Sequence, residues 1–348
     1  MIRFMLKLGS CLVVMAVVTS AQAADQPRPA ADVARELLQV YGKKLDSLAY
    51  IPAIGAYGRL RFGQLTNDPA MQEQVFSLIE QPQPVPKSHV EFAGHLLYAG
   101  VAHLPESPVQ MNALAVVRRA ADQLFDPADP QRIRSPGPHE MSDAVFMCGP
   151  ILCEAGALTS DARYFDGAVQ YLTEMRTLRM RDDGLYQHGH LCDAAWGRGN
   201  GFPAVGTSWC LTYLPQNHIG RAELLMQYQR HMAALLPYQT TDGLWRQVID
   251  VPDAYQEFSA TAMIGFAMQR GLREGSLDRA TYQPAVDRAW QAVCDRIQPG
   301  GKLIDVCEGT GTQKTLADYL NRKAIRGVDD RGGAMALLFA TERLTAEK

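Results

Sequence analysis

Apolar positions along most of this chain recur at the three-and-four spacing of a helix, and no alternating run of β-branched residues is long enough to specify a strand. The pattern predicts twelve helical segments, at 32–48, 52–65, 69–81, 92–104, 108–124, 142–157, 161–180, 201–214, 219–236, 257–271, 278–297 and 332–344. They alternate in character. Between 161 and 180, Phe165, Val169, Leu172 and Met175 form one stripe, with Arg163, Asp166, Glu174 and Arg176 off it. The segment 219–236 does the same with Leu225, Tyr228, Met232 and Leu235, as befits an outer helix that covers a core with one face. By contrast 92–104, 257–271 and 332–341 are rich in Gly and Ala and apolar nearly all round, which is the composition of helices buried among other helices.

A weak internal period supports this alternation. Asp183-Gly184-Leu185, Asp242-Gly243-Leu244-Trp245 and Gly300-Gly301-Lys302-Leu303 recur every 58 or 59 residues, each after an amphipathic helix and before a more apolar one. Six outer/inner pairs at that rhythm predict an all-α fold, a closed (α/α)6 barrel with the inner helices around a central cavity. An open solenoid would leave an apolar end in need of a cap, and the sequence offers none. In a toroid the inner helices run the same way. Ser142-Asp143, the stretch 188–200 and Glu257-Phe258-Ser259, each at the start of an inner helix, therefore converge at one mouth, where positive helix ends favour an anionic ligand.

The first 23 residues change the picture of where the chain works. Arg3 and Lys7 precede an apolar run from Leu8 to Val18, too short to span a bilayer, and Ala21-Gln22-Ala23 fits a cleavage site. They read as a signal peptide cut after Ala23, with a periplasmic or secreted product in which residues 24–348 form one domain. No linker, low-complexity tract or charge block divides that domain. The balance of 34 basic and 37 acidic residues offers no patch for nucleic acid, and nothing after the signal is apolar enough to enter a membrane. The six cysteines left after cleavage match no disulfide framework, and most read as buried small hydrophobes.

Candidate chemistry concentrates between 183 and 203, which gathers His188, His190, Asp193, Trp196, Arg198 and Asn200 among five glycines. An indole face with converging polar groups is how a sugar ring is gripped. Asp143 at a helix start and Asp193 in the loop supply the two carboxylates that glycoside chemistry requires. His188 and His190 lack the further ligands and spacing of a zinc site, so no metal or other cofactor is expected and hydrogen bonding to substrate is their reading. Trp245 and Gln247 offer either a second sugar-facing wall or a core-covering turn. Arg198 either pairs with a substrate carboxylate or pins the loop, and Glu257 and Ser259 open the next inner helix at the same mouth. Gly309-Thr310-Gly311-Thr312 has neither the lysine nor the preceding strand of a phosphate loop.

Trp-Gly-Arg-Gly-Asn-Gly-Phe at 196–202, Asp-Gly-Leu-Tyr-x-His at 183–188, Asp-Gly-Leu-Trp-x-Gln-Val at 242–248, Glu-x-Ser-Ala-Thr-Ala-Met at 257–263 and Gly-Thr-Gly at 309–311 together resemble glycoside hydrolase family 105, the unsaturated rhamnogalacturonyl hydrolases. The resemblance runs from about residue 50 to 340. It implies an (α/α)6 barrel that needs no metal and removes a terminal 4,5-unsaturated uronic acid from the acidic oligosaccharides left by polysaccharide lyases. It also implies hydration of the C4=C5 double bond, with an aspartic acid protonating C4 and its carboxylate then activating the water that attacks C5. Carried over by position, the loop aspartate falls on Asp193 as general acid/base and the helix-start aspartate on Asp143 as its partner. Some relatives carry two adjacent acids where this chain has Cys192-Asp193, which leaves the alignment of the acid open by one residue. Two other readings stay open: another α/α-toroid carbohydrate enzyme, either a lyase or an inverting hydrolase, and a non-catalytic oligosaccharide-binding protein.

Overall fold

A computed structural model describes residues 27–80, 86–134 and 141–348. The segment 1–23 expected to be a signal peptide, the end of the segment predicted at 69–81, and His139-Glu140 lie outside the described residues. The first helices are α1 (Ala30–Leu38), α2 (Tyr50–Thr66), α3 (Pro69–Ile79), α4 (His89–Gly94), α5 (Leu96–Ala102) and α6 (Pro108–Asp122). They are followed by α7 (Ala144–Thr159), α8 (Ala162–Arg179), α9 (Gly197–Tyr213), α10 (Arg221–Leu235), α11 (Phe258–Arg273) and α12 (Arg279–Asp295). The chain ends with the short α13 (Leu316–Leu320) and with α14 (Asp330–Ala346).

The helices α2, α4/α5, α7, α9, α11 and α14 each pack against the next, and α14 returns to α2, so the inner ring closes. α1, α3, α6, α8 and α12 lie outside against α14, α2, α5, α7 and α11, and α10 covers α9. This is the (α/α)6 toroid. The sequence pattern maps onto it directly: α7, α9 and α11 bury nearly every residue, whereas outer α6 buries one face, Ala113, Val116, Val117, Ala120 and Ala121. A stripe suffices for a helix with solvent on one side, and an inner helix has none.

All twelve predicted segments are helical, with four differences. The first stops at Leu38 instead of reaching 48, and the chain turns through Gly42 (φ 69°) before α2. The segment 92–104 is two helices with a break at His95, whose Nδ1 lies 2.6 Å from the Glu91 carbonyl oxygen. The third difference is α9, which begins at Gly197, not 201, so Arg198 and Asn200 sit on a helical turn and not in a loop. Lastly, short antiparallel strands that helical periodicity had hidden pair at 125–126 with 129–133, 245–246 with 256–257, and 302–307 with both 297–298 and 324–327. The repeated turns feed these strands and the inner helices after them. Gly243, at φ 85°, lies so close to the carbonyl oxygen of Arg288 that a Cβ there would fall 2.3 Å from it, which fixes glycine at this turn.

The six cysteines among the described residues are free, and all but the half-buried Cys192 are buried. No helix among the described residues is long and apolar enough to cross a membrane.

Candidate active site

Every inner helix begins at the same end of the toroid, and the site is built from those starts. The stretch 186–194 is clamped there by backbone groups. The amide oxygen of Asn200 accepts from Tyr186 N–H at 2.8 Å, and its nitrogen donates to the Tyr186 carbonyl at 2.9 Å. His188 N–H donates to the Ala194 carbonyl, and the His188 carbonyl accepts from Ser142 N–H at the entrance to α7. This clamp fixes His188, which is fully buried, with its ring centroid 4.4 Å from that of Trp196 and 5.6 Å from that of Tyr319.

The His188 ring joins two groups. Its Nδ1 lies 2.8 Å from the Tyr319 hydroxyl, and its Nε2 lies 3.3 Å from Asp143 Oδ2. Asp143 occupies the N-cap of α7, but its side chain makes no cap hydrogen bond. The ordinary reason for an aspartate at a helix start therefore does not apply. Asp143 Oδ2 and His188 Nε2 are within ion-pair distance without hydrogen-bond alignment, and both are buried without a hydrogen-bond partner among the described residues.

Further groups surround this pair. Burial pushes the Tyr50 hydroxyl up to about 12, with Arg198 and Arg331 pulling it down and the charges of Asp143 and Asp329 adding to the rise. His89 is lowered by burial, against the opposing charge of Asp143. Tyr319 is raised to about 12 by burial, against the Gln313 N–H that its oxygen accepts, with Cys192 and Asp143 contributing. Tyr50, His89 and Tyr319 are thus electrostatic neighbours of one carboxylate, and two guanidinium groups stand close by. At the positive ends of the inner helices, such a set can hold an anionic ring and carry a proton to it.

Arg198 forms one wall. Its Nη1 donates to Ser259 Oγ at 3.1 Å and the Cys307 carbonyl at 2.6 Å, its Nη2 donates to the Glu308 carbonyl at 2.8 Å, and its guanidinium lies 4.6 Å from the Trp196 ring centroid. Glu257 receives Ser259 N–H, Ser259 Oγ–H, Ala260 N–H and Cys307 N–H, at 2.5 to 3.0 Å. It caps α11 and ties the strand 302–307 to the mouth.

The predicted residues accordingly divide. Asp143, His188, Trp196 and Arg198 come together at the mouth. Glu257 and Ser259 stand behind Arg198 as its support, and Asn200 spends its hydrogen bonds on Tyr186 and on the Trp196 carbonyl. Trp196 is not an open sugar platform: it is 1% exposed, packed between His188 and Arg198, with its indole N–H unpartnered among the described residues. Trp245 and Gln247 are fully buried, so the core-covering turn describes them and a sugar-facing wall does not. The Trp245 indole donates to the Leu235 carbonyl, and the Gln247 amide donates to the Tyr319 carbonyl. His190 is exposed at the tip of the loop. Asp193 has a side chain 74% exposed, 3.8 Å from Arg181, beside a hollow of about 290 Å³ that Cys192, Asp250 and Leu316 also line. No cluster of His, Cys, Asp or Glu suited to a metal occurs among the described residues.

Sequence reasoning did not single out Tyr50, His89, Tyr319 or Arg331. Three of them had a usable signal: Tyr50, His89 and Arg331 lie at the starts of α2, α4 and α14, the same position that marked Asp143. Tyr319 sits on a helix of five residues, too short to show a period.

A family model described as Glycosyl Hydrolase Family 88 matches residues 113–347. The chain is 26% identical over 215 residues to the unsaturated rhamnogalacturonyl hydrolase YesR of Bacillus subtilis (strain 168), an alignment covering 60% of each protein. It is 29% identical over 179 residues to an unsaturated 3S-rhamnoglycuronyl hydrolase of Formosa agariphila, covering 46% of this chain and 48% of that one. The chain thus spans about half to three fifths of these curated relatives. Among solved structures, a possible member of family 105 from Klebsiella pneumoniae superposes with a TM-score of 0.79 at 21% identity, covering 97% of this chain and 100% of that one. The motif resemblance to family 105 is thus matched by a shared fold.

Proposed function

The chain belongs to glycosyl hydrolase family 88, and from that premise we propose that it removes a terminal 4,5-unsaturated uronic acid from acidic oligosaccharides of the rhamnogalacturonan or pectin type. One observation carries this reading. Asp143 Oδ2, His188 Nε2, Trp196 Nε1 and Arg198 Nε are all buried without a hydrogen-bond partner among the described residues, and all belong to the mouth. An unpaired buried polar atom costs about 1–3 kcal/mol, so such atoms are rare. Four in one place suit a polar ligand that completes their hydrogen bonds.

In this reading Asp143 carries the proton. Its carboxyl gives a proton to C4, the C4=C5 π pair becomes the C4–H bond, and the positive charge at C5 is shared with the ring oxygen. Water adds its oxygen to C5 and returns a proton to the Asp143 carboxylate. The hemiketal then opens to a ketone, and the sugar linked at C1 leaves with its oxygen. Arg198, whose Nη groups hold Ser259 and the Cys307 and Glu308 carbonyls, and Arg331, whose Nε and Nη2 pair with Asp329, place positive charge where the uronate carboxylate would lie. Asp193, exposed and turned towards Arg181, stays at the rim.

The test is ultraviolet absorbance in the unsaturated-uronide band while the purified protein, with chelator present, meets a lyase digest of rhamnogalacturonan. A fall supports hydration of the double bond. A rise on undigested polysaccharide indicates a lyase, and no change on any acidic digest indicates a binding protein. We also propose export to the periplasm or beyond, on the strength of the charged, apolar and Ala-Gln-Ala order of residues 1–23. An exported product whose N-terminus is not near Ala24 would contradict it.

A further inference from the structure

We infer that the Tyr319 hydroxyl is a positioning group: it donates to His188 Nδ1 and so holds the imidazole as the tautomer whose Nε2 proton faces Asp143. The inference rests on the reading of Asp143 as the proton carrier.

The hydrogen-bond inventory leads to this assignment. Tyr319 oxygen already accepts the Gln313 N–H at 3.2 Å, and its own proton is free to go 2.8 Å to His188 Nδ1. On the other side of the ring, Nε2 faces Asp143 Oδ2 at 3.3 Å. Once Asp143 has given its proton to C4 it is a carboxylate, which only accepts, and a neutral imidazole carries one proton. Were that proton on Nδ1, the Nε2 lone pair would face carboxylate lone pairs in a buried site, an arrangement that low dielectric makes repulsive. With the proton on Nε2 the contact is attractive, Nδ1 must accept, and Tyr319 is the donor on that side. Burial raises Tyr319 to about 12, so the hydroxyl keeps its proton.

The backbone serves the same arrangement. Tyr319 is fully buried, and its carbonyl accepts the Gln247 side-chain amide at 2.8 Å, which locks α13 against the turn after Trp245. The buried Gln247 thus acts on the site through Tyr319. When Asp143 has given its proton to C4, the new carboxylate has an N–H 3.3 Å away on the facing ring, which a small shift brings into line as a hydrogen bond.

The test is long-range proton–nitrogen NMR of the full chain labelled with ¹⁵N-histidine, the His188 signals being assigned by their loss in His188→Gln. The expected spectrum, recorded at about pH 8 where carboxylates are ionised, has a protonated Nε2 and an unprotonated Nδ1 in the ligand-free protein, and Tyr319→Phe removes that fixed preference. In turnover, Tyr319→Phe is expected to lower kcat about 10- to 100-fold with KM within about twofold, as for loss of a group that orients a reacting one. A proton on Nδ1 in the unaltered protein overturns the inference even if the variant does not fold, and so does a Tyr319→Phe protein with unchanged tautomer and kcat. The spectrum needs no substrate. A correct tautomer in a protein inert to every unsaturated uronide would therefore refute the functional reading and leave the positioning role standing.

Discussion

Replacing Asp143 by Asn, and separately Asp193 by Asn, decides which carboxylate does the chemistry. Asparagine has the shape of aspartate and can present its oxygen to His188 Nε2, but it cannot deliver a proton to carbon. General acid–base catalysis contributes about 10²- to 10⁴-fold, so Asp143→Asn is expected to raise the barrier by roughly 3–5 kcal/mol. Stability should respond differently. A true N-cap aspartate stabilises by about 0.5–2 kcal/mol, yet Asp143 makes no cap hydrogen bond, so its replacement should cost less than about 0.5 kcal/mol. Asp193→Asn removes only a loose contact 3.8 Å from Arg181, from a side chain 74% exposed, and its rate is expected to stay within about threefold. Initial rates from the loss of uronide absorbance, beside a denaturant midpoint for each variant, measure both quantities. An inactive Asp193→Asn protein together with an active Asp143→Asn protein would refute this reasoning and restore the assignment implied by position in the motif.

Two further substitutions examine the scaffold. Trp245→Phe removes the indole bond to the Leu235 carbonyl from a fully buried site and should destabilise the fold by about 2 kcal/mol, while kcat/KM stays within about twofold where the protein is folded. A rise in KM without a loss of stability would instead mark Trp245 as a substrate wall. His231, buried behind Tyr186 and 3.2 Å from Asn200 Oδ1, is lowered by burial to about 3. The unfolded chain, with an ordinary histidine near 6.5, binds more protons between these values, so the neutral His231 adds stability that is intact above about pH 6.5 and lost as pH falls towards 3. By pH 5 the loss is on the order of 2 kcal/mol. The denaturant midpoint of the unaltered protein should therefore drop more steeply from pH 6.5 to 5 than that of His231→Asn, and equal slopes would contradict the assignment.

The toroid was legible because its signal is long and redundant. An outer helix must show a stripe and an inner one must lose it, and each of the twelve segments repeats that contrast over three or more turns. Short elements carry no such redundancy. α13 spans five residues, and the paired strands at 245–246 and 256–257 have two each, less than any period requires. The start of α9 was misplaced for another reason. Its glycines suggest a flexible loop, but a Cβ on Gly197 would fall 2.6 Å from the Arg246 carbonyl oxygen, so that glycine is there to let the turn 245–248 lie against a helix.

The site was legible as a place more than as a list. The residue types that bind sugars are the ones that clamp irregular backbone, because both tasks need donors and acceptors held in fixed directions. Nothing in the types or spacing of Asn200, Glu257 and Asp143 separates clamp from reagent. What separates them is whether their hydrogen-bonding capacity has been used. Glu257 holds four donors and Asn200 is spent on the Tyr186 backbone beside it, so neither has much left to offer a ligand. Asp143 keeps a buried oxygen without a hydrogen-bond partner among the described residues, facing a histidine nitrogen in the same condition. Such a pair is a cost to the fold, and the fold has not removed it by the small shift that would align a hydrogen bond. Unspent capacity that persists in a buried site is therefore the stronger sign of chemistry, and it selects Asp143 over the exposed Asp193, whose unused oxygens solvent can satisfy at no cost.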